Sequence, residues 1–254
     1  MATTTRPMGH PCDHPESGDA CVACIVRDLG VCGALEDGEL LELQRAVHHL
    51  TFEPGQSILT EGEPADHVFI VVSGAAALQK SMADGRRQIT AVLLAGDVVG
   101  MSGESTFQYS AEALTRVELC RIPIPVLDGL CARYPRFEKR LREVLGNEFC
   151  EAQAQLLWLG RKNAAERLAS CLLMLGERAL HRGEPANPVR LFMTRADIAD
   201  CLGLTEETVS RTFTQLVNDR LISLPKRSDV VIEREDRLRA LAEGIASPRE
   251  PAAR

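Results

Sequence analysis

The chain has 254 residues, of which 45% are hydrophobic and 26% are charged. This composition excludes wholesale disorder and a collagen-like chain, and the length suits one large domain or two ordinary ones. The longest aliphatic or aromatic run, Val68 to Val72, is far shorter than the roughly 20 apolar residues of a membrane helix. The N-terminal segment contains no apolar signal region, so the sequence predicts a cytoplasmic protein.

The net charge of -7 excludes a protein that coats nucleic acid non-specifically, because such proteins are usually strongly basic. A sequence-specific DNA-binding protein stays open, since it needs only one positive face. The nine cysteines are an odd number, so at least one stays outside any intramolecular disulfide. In a reducing cytosol, clustered cysteines indicate metal binding or catalysis.

The N-terminal half is predicted to contain an arm and a β-domain. Residues 1–34 are rich in Cys, Gly and Pro and have no clear hydrophobic period. Residues 35–50 carry leucines mostly on one side and are predicted to form a helix. From 51 to 122, short apolar runs alternate with glycines, at the spacing of about 8 to 12 residues that is typical of a barrel or sandwich. We therefore assign 35–122 to a β-barrel domain.

Helical spacing returns at Pro125, and residues 123–160 are predicted to form a long helical region. After Pro135 an apolar seam steps by four and three residues, as in a two-heptad coiled coil. The residues of this seam are Leu145, Phe149, Ala152, Leu156 and Leu159. The seam either packs on the protein's own barrel or pairs with the same helix of a second copy.

The strongest local pattern runs from Thr194 to Leu216. Thr194 and Thr205 each fit the N-cap of a helix, and Gly203 permits the tight turn between the two helices. Small and apolar residues at the spacing that close packing requires complete the pattern of a helix-turn-helix.

The second of these helices presents Glu207, Ser210 and Arg211 on one outward face, where a recognition helix meets base edges. Arginine can pair with guanine, and glutamate can accept a hydrogen bond from cytosine. The alternative is a solvated Glu–Arg pair on an ordinary surface helix. Two apolar runs flanking a basic turn at 225–228 predict a β-hairpin wing that contacts phosphate.

Residues 161–235 are therefore predicted to form a winged helix-turn-helix domain, with a C-terminal tail at 236–254. One such module discriminates a few bases at about 1–3 kcal/mol each, whereas physiological specificity needs about 4–10 kcal/mol. Two modules on a palindrome reach that range. The sequence thus predicts a homodimer on a palindromic DNA operator, with the apolar seam as the contact on the two-fold axis.

A β-barrel, a long helix and a winged helix-turn-helix in this order resemble the CRP/FNR transcription regulators. The stretches RKNAAERLASCLL at 161–173 and MTRADIADCLGLTEETVSR at 193–211 are similar to the oxygen-responsive FNR branch. The resemblance implies an α+β fold with an N-terminal double-stranded β-helix (a jelly-roll barrel of the cyclic-nucleotide-binding type). It also implies a TTGAT-type half-site for Glu207, Ser210 and Arg211, and RNA polymerase as a partner.

The cyclic-nucleotide branch is similar in fold but places an Arg-Ser/Thr-Ala segment after a Gly-Glu phosphate loop. This chain has Gly103-Glu104 and then Tyr109-Ser110-Ala111, without the arginine. We therefore expect no dissociable cyclic nucleotide.

The arm places Cys21, Cys24 and Cys32 close together in sequence, and four thiolates hold a [4Fe-4S] cluster. The resemblance to the FNR branch implies that Cys120, in the barrel, is the fourth ligand, with Cys12 as the competitor for this role. The spacing in the arm resembles a family variant with a longer last gap. The resemblance therefore implies an oxygen-responsive regulator whose cluster promotes dimerisation and DNA binding at low oxygen.

Other interpretations of the arm stay open. His10 and His14 with Cys21 and Cys24 would make a Cys2His2 zinc site, although the other two predicted ligands would then have no role. A plain redox-thiol arm is a further alternative, as is a regulator of the same fold that senses haem or a small ligand. No enzyme is expected, because a cupin-like oxygenase needs several histidine and carboxylate ligands inside its strands, and His67 is the one histidine in 51–122.

Four cysteines fall in helical patterns and are interpreted as buried small apolar residues: Cys131, Cys150, Cys171 and Cys201. Four histidines lack partner spacing and are interpreted as ordinary residues: His48, His49, His67 and His181.

Overall fold

The computed structural model describes residues 20–245, which form two compact units. The first unit comprises 20–76 and Leu93–Gly146. The second unit comprises Ala77–Val92 and 147–245. No helix within the described residues is both long and apolar enough to cross a membrane.

The N-terminal half of the described chain contains short helices and eight strands. In chain order these are a 3₁₀ helix at Val31–Ala34, α1 at Asp37–Gln44, β1 at His48–Phe52, β2 at Ser57–Leu59, β3 at His67–Ser73, β4 at Ala75–Ser81, β5 at Arg87–Leu94, β6 at Val98–Val99, β7 at Ser110–Ala113 and β8 at Val117–Pro123. The strands form two four-stranded sheets, in the orders β1-β8-β3-β6 and β2-β7-β4-β5. This arrangement confirms the predicted β-barrel of short strands.

Glycine at the turn between β3 and β4 is required by geometry. Gly74 has a φ of 81°, and a Cβ at this position would lie 2.1 Å from the carbonyl oxygen of Arg116. A side chain therefore fits neither the backbone conformation nor the space, which explains why a glycine separates these two apolar runs.

The core of the first unit lies between the sheet that contains β3 and three helical segments. Val68 and Ile70 on β3 and Ile122 on β8 point to the same side, because side chains alternate along a strand. They belong to one cluster with apolar residues of α1, of α2 at Ile124–Arg133 and of the first turns of α3 at Pro135–Arg161. Phe137 on α3 is completely buried in it.

The helix predicted over 35–50 is wrong in its second half. Helix α1 ends at Gln44, and β1 starts at His48 and pairs antiparallel with β8. The leucines that suggested one continuous helix include Leu40 and Leu43, which are buried on α1. The strand that follows is stabilised by its partner β8, which lies far away in sequence, and no local period reports such a partner.

The described part of the arm is packed, although 1–34 show no clear hydrophobic period in sequence. Val26 and Val31 are buried at 4% and 1% exposure. Gly30 approaches Gly96 so closely that a Cβ at Gly30 would lie 2.7 Å from the Gly96 carbonyl oxygen. The arm from residue 20 onward is therefore part of the core of the first unit.

The C-terminal part of the chain contains four helices and a small sheet: α4 at Ala164–His181, β9 at Val189–Arg190, α5 at Arg195–Leu202, α6 at Glu206–Asn218, β10 at Ile222–Lys226, β11 at Asp229–Ile232 and α7 at Glu235–Ala242. The sheet has the order β10-β11-β9. Helix α7 lies where the sequence predicts the start of a tail. It forms because Leu238 and Ala242, four residues apart, are buried on the face that packs against α4. The rest of that predicted tail, from 246 onward, lies outside the described residues.

Candidate functional site

The predicted metal ligands Cys21, Cys24, Cys32 and Cys120 line one cavity in the first unit. Two of them lie in the turns before the 3₁₀ helix, one lies in that helix, and Cys120 lies on β8. The other lining residues are mostly aliphatic. The fold therefore brings together the four cysteines that the sequence assigned to a single site. Cys12, His10 and His14, which enter the alternative assignments, lie outside the described residues.

Burial sets the protonation of these thiols. Burial, with smaller contributions from the nearby Cys21 and Cys24 and against the charge of Arg27, raises the pKa of Cys32 to about 12. Burial also raises the pKa of Cys24, against the lowering effect of hydrogen bonds from the backbone of Val26 and Arg27. In the metal-free protein Cys24 and Cys32 are therefore protonated at neutral pH. A bound metal must displace these protons, and metal binding at the site should strengthen as pH rises.

The thiol donors of this cavity are all cysteine, which is the ligand type of an iron–sulfur cluster. Within 20–245, no three side chains of His, Cys, Asp or Glu lie close enough to share one ion. A four-iron cluster is held by four cysteines, one at each iron, so its ligand sulfurs need not converge on one point. The cavity measures about 30 Å³, which is room for one or two water-sized groups. The arm would therefore have to move outward to admit a cluster.

His49 is a neighbour of Cys120 that the sequence analysis treated as ordinary. The two residues are paired across the β1–β8 ladder, and the Nδ1 atom of His49 lies 3.5 Å from the Sγ atom of Cys120. Burial lowers the pKa of His49, which favours the neutral imidazole. Only the strand pairing reveals this contact, because the leucine pattern over 35–50 predicts a helix at His49.

Tyr109 occupies the position where the cyclic-nucleotide branch has its phosphate-binding arginine. Tyr109 precedes β7, and its hydroxyl accepts a hydrogen bond from the backbone N–H of Gly100 at 3.2 Å and donates one to the Met101 carbonyl at 3.2 Å. A phenol held by the backbone supplies no positive charge for a phosphate. The expectation of no dissociable cyclic nucleotide stays a prediction.

The apolar seam of α3 is largely exposed in the single chain. Phe149 is 63% exposed and Leu156 is 70% exposed, and Ala152 is also exposed. Leu145 is half-buried against the core of the first unit. Leu159 is half-buried near Gly203, where a Cβ on the glycine would lie 3.2 Å from the leucine side chain. The centre of the seam is therefore an exposed apolar face, and its pairing with a second copy stays a prediction.

One of the cysteines interpreted as buried is also exposed on α3. Cys150 is exposed, next to Phe149. Cys171 and Cys201 are buried, as predicted, and Cys131 is half-buried. The helical pattern therefore identified the helix correctly at Cys150 but not the side that faces solvent.

The predicted helix-turn-helix is present in the second unit. The Thr194 side chain accepts a hydrogen bond from the backbone of Asp197 and caps α5, and Thr205 caps α6 in the same way. Gly203 ends α5 with a φ of 61°, in the left-handed region. Antiparallel strands β10 and β11 form the predicted wing, with Lys226 beside its turn.

The three predicted base-contacting residues share one exposed face of α6. The side chains of Glu207 and Arg211 are 77% and 73% exposed, and their charged groups lie 3.6 Å apart. With Ser210 they line a shallow depression that continues along the helix. Residues that the sequence analysis missed extend this face: Thr214, Gln215, Asn218 and Asp219. Thr214 and Gln215 follow Ser210 and Arg211 by four residues each, and Asn218 and Asp219 follow by four more, so the helical spacing could have revealed them. Contact of the face with DNA stays a prediction.

Arg195, at the start of α5, adds positive charge near the wing. Its guanidinium lies 3.3 Å above the ring of Phe213. Burial lowers the pKa of Arg195, and the positive charge of Arg227 at the wing turn lowers it further. The two arginines therefore place two positive charges suited to phosphate contact beside the wing.

The comparisons with known proteins cover most of the chain. Residues 49–134 match the family model of the cyclic nucleotide-binding domain, and residues 166–241 match that of the Crp-like helix-turn-helix domain. The chain is 36% identical over 217 residues to the transcriptional activatory protein AadR of Rhodopseudomonas palustris, covering 82% of this chain and 91% of that protein. It is 32% identical over 232 residues to the fumarate and nitrate reduction regulatory protein of Yersinia pestis, covering 90% and 92%.

Among solved structures, FixK2 from Bradyrhizobium japonicum is similar, with a TM-score of 0.72 and 33% identity, over 77% of this chain and 96% of that one. A jelly-roll barrel followed by a long helix and a winged helix-turn-helix defines a DNA-binding transcription regulator with a sensor domain. The chain belongs to the CRP/FNR family of transcription regulators. Proteins of this family regulate transcription, bind DNA and act as dimers, and they are not enzymes, as the sequence predicts.

The exposed face of α6 leads to a prediction about base discrimination. Arg211→Ala should weaken operator binding by about 1–3 kcal/mol and relax discrimination at one base pair, because a bidentate contact to guanine is lost. Its high exposure makes an effect on folding negligible. Lys226→Ala, at the wing, should instead weaken binding to all sequences alike and reduce the salt dependence. Titrations on an operator and its single-base variants distinguish the two outcomes, and uniform weakening by Arg211→Ala would contradict the assignment.

Proposed function

We propose that this protein is an oxygen-responsive transcription regulator. It holds a [4Fe-4S] cluster through Cys21, Cys24, Cys32 and Cys120, forms a homodimer through α3 and binds a palindromic TTGAT-type operator at low oxygen. The observation that carries the proposal is that all four cysteines line one cavity. The relatives named for fumarate and nitrate reduction support it, because these electron acceptors are used in place of oxygen. RNA polymerase is the partner that a transcription regulator of this family would contact.

When bound, the cluster supplies iron–thiolate bonds that oxygen can break. The positions of the ligands in the chain determine which segments these bonds join. Cys21, Cys24 and Cys32 come from the arm and Cys120 comes from β8, so ligands on both segments tie the arm to the barrel. Loss of the bonds leaves the arm attached only by its packing and hydrogen bonds.

The arm also contacts the helix that carries the seam. Arg140, on the part of α3 that belongs to the first unit, donates hydrogen bonds to the carbonyls of Gly30 at 3.2 Å and Leu29 at 3.1 Å. A second link joins the arm to α1, where the backbone N–H of Cys21 donates to the Gln44 side chain at 3.0 Å. A displaced arm therefore removes support from α3, which is the segment proposed to pair with the second copy.

The energy required is within reach of several metal–ligand bonds. Shifting a dimerisation equilibrium from 1:99 to 99:1 takes about 5.5 kcal/mol of differential stabilisation. Structural metal sites made of thiolates contribute more than this, at roughly 10–16 kcal/mol for zinc. Four iron–thiolate bonds that exist only at low oxygen could therefore supply all the free energy that this shift in dimerisation requires.

The test compares protein purified without oxygen with the same protein after exposure to air. The anaerobic sample should be brown, contain four irons and four sulfides per chain, and bind a labelled palindrome at least about a hundredfold more tightly than the exposed sample. Equal affinity of the two samples would overturn the oxygen response. An anaerobic sample without iron that still binds the operator fully would overturn the cluster.

A regulator of the same fold without a cluster is the second candidate, with haem, zinc, thiol redox or a small ligand as its signal. The cavity lined by the four cysteines measures about 30 Å³, which favours thiol redox among these signals because it needs no added group. A colourless, zinc-loaded anaerobic sample would support this candidate in the same experiment.

A further inference from the structure

The hairpin of β4 and β5 belongs mostly to the second unit. Residues Ala77–Val92, here called the hairpin, pack with 147–245, although both of its ends continue into the first unit at Ala76 and Leu93. The chain thus leaves the first unit after Ala76, forms part of the second unit and returns to the first unit at Leu93. Any change in the barrel that moves either end of the hairpin acts directly on a segment of the other unit.

Arg87 makes the principal polar contact of the hairpin. Its guanidinium bridges two carboxylates of α5: Nε donates to Asp200 at 2.6 Å, and an NH2 group donates to Asp197. A third donor reaches the Gln79 side chain on β4 at 3.2 Å, which fixes the guanidinium to its own hairpin. Arg87 is 27% exposed and the Asp197 residue is 8% exposed. These contacts are therefore largely shielded from solvent.

Neighbouring groups of the hairpin reinforce the contact. The Gln88 side chain donates a hydrogen bond to the carbonyl of Cys201, near the end of α5, at 3.1 Å. Gln155 on α3 donates to the same carbonyl at 3.2 Å and to the carbonyl of Ile89 at 3.1 Å. The Ile89 side chain is completely buried. Helix α5 is thus held along its length by the hairpin and by α3 together.

The two carboxylates occupy positions that matter for the helix-turn-helix. Asp197 completes the capping box of α5 with Thr194, and its second oxygen is the one that accepts from Arg87. Helix α5 packs directly on the recognition helix α6. Removal of the guanidinium would leave two neighbouring carboxylates partly buried and without their cation, which disfavours the docked arrangement.

We propose that Arg87 is a positioning residue that transmits the state of the sensor barrel to helix α5 of the helix-turn-helix. It acts through α5 and does not itself contact DNA. The proposal rests on the proposed oxygen response only for its signal, because the coupling would apply to any ligand that moves the barrel. Without Arg87, the second unit should bind DNA with an affinity that depends less on the sensor.

The test is the ratio of operator affinities in the anaerobic and air-exposed states. Arg87→Met keeps the apolar stem and removes the charge, and it should reduce the ratio at least about tenfold. Asp200→Asn should reduce it less, and the double variant should be no worse than Arg87→Met alone, because both remove the same interaction. Arg86→Met is the matched control: Arg86 is exposed and pairs only within its own turn, with Asp84, at 2.8 Å.

A purely structural role would lower affinity in both states and leave the ratio unchanged. A ratio for Arg87→Met within twofold of wild type would therefore overturn the proposal. If Arg87→Met does not fold, the ratio is measured for Asp200→Asn instead, because this variant leaves the capping box intact. A wild-type ratio of one would overturn the oxygen response instead. The coupling would then be judged by amide hydrogen exchange: faster exchange in α5 with Arg87→Met than with Arg86→Met supports it, and equal exchange overturns it.

Discussion

Cys120→Ala is expected to lose anaerobic operator binding by at least about a hundredfold and to retain little iron. Three of the proposed ligands belong to the arm, and Cys120 alone belongs to the barrel. Without it, no metal bond fastens the arm to β8, and the arm's support of α3 through Arg140 is weakened. Iron and sulfide analysis, together with operator titration in an anaerobic chamber, measures both effects.

Two matched variants make this result specific. Cys131→Ala removes a half-buried thiol from α2 in the same unit and should leave iron content and binding unchanged. Cys12→Ala removes the competing ligand and should also have no effect. If Cys12→Ala abolished binding while Cys120→Ala did not, the fourth ligand would be misassigned. If both variants retained iron and binding, the cluster would need other ligands altogether.

Leu156→Glu is expected to convert the anaerobic dimer into a monomer and to weaken operator binding by about 30-fold to a few thousandfold. Leu156 is 70% exposed in the single chain, so the change costs the fold little. In a paired seam it would place two buried carboxylates on the two-fold axis. A monomer reaches one half-site, which gives up about half of the 4–10 kcal/mol of specific binding energy.

Sedimentation of the anaerobic protein and titration of the operator give the dimer population and the affinity separately. Leu180→Glu is the control, because Leu180 is 59% exposed on α4, outside the seam. It should leave both measurements unchanged. A Leu156→Glu protein that stayed dimeric and bound fully would show that α3 pairs through another face or not at all.

The sequence predicts the helix-turn-helix well because its determinants are local. Thr194, Gly203 and Thr205 lie where caps and turns need them, and the structure places all three in those roles. Each depends on bonds within a few residues. The helix over 35–50 fails for the opposite reason: β1 is decided by its pairing with β8, which local periodicity cannot report.

The candidate site likewise combines features that local sequence predicts with features that only the tertiary structure creates. The residue types and spacing of Cys21, Cys24 and Cys32 indicated sulfur ligation, and family resemblance added Cys120. That His49 faces Cys120 was inaccessible to the sequence analysis, because only the strand register places them together. The same register brings Cys120 to the cavity that the arm lines.

The sequence by itself determined the order of the domains, the caps of the helix-turn-helix and the exposed face of α6 that carries Glu207, Ser210 and Arg211. The caps and this face follow from contacts between near neighbours in the chain. Only the tertiary structure decided that the arm packs into the core and that Arg87 reaches Asp197 and Asp200. These contacts join residues far apart in sequence. Their formation depends on how complete sheets and helices pack, which no window of sequence encodes.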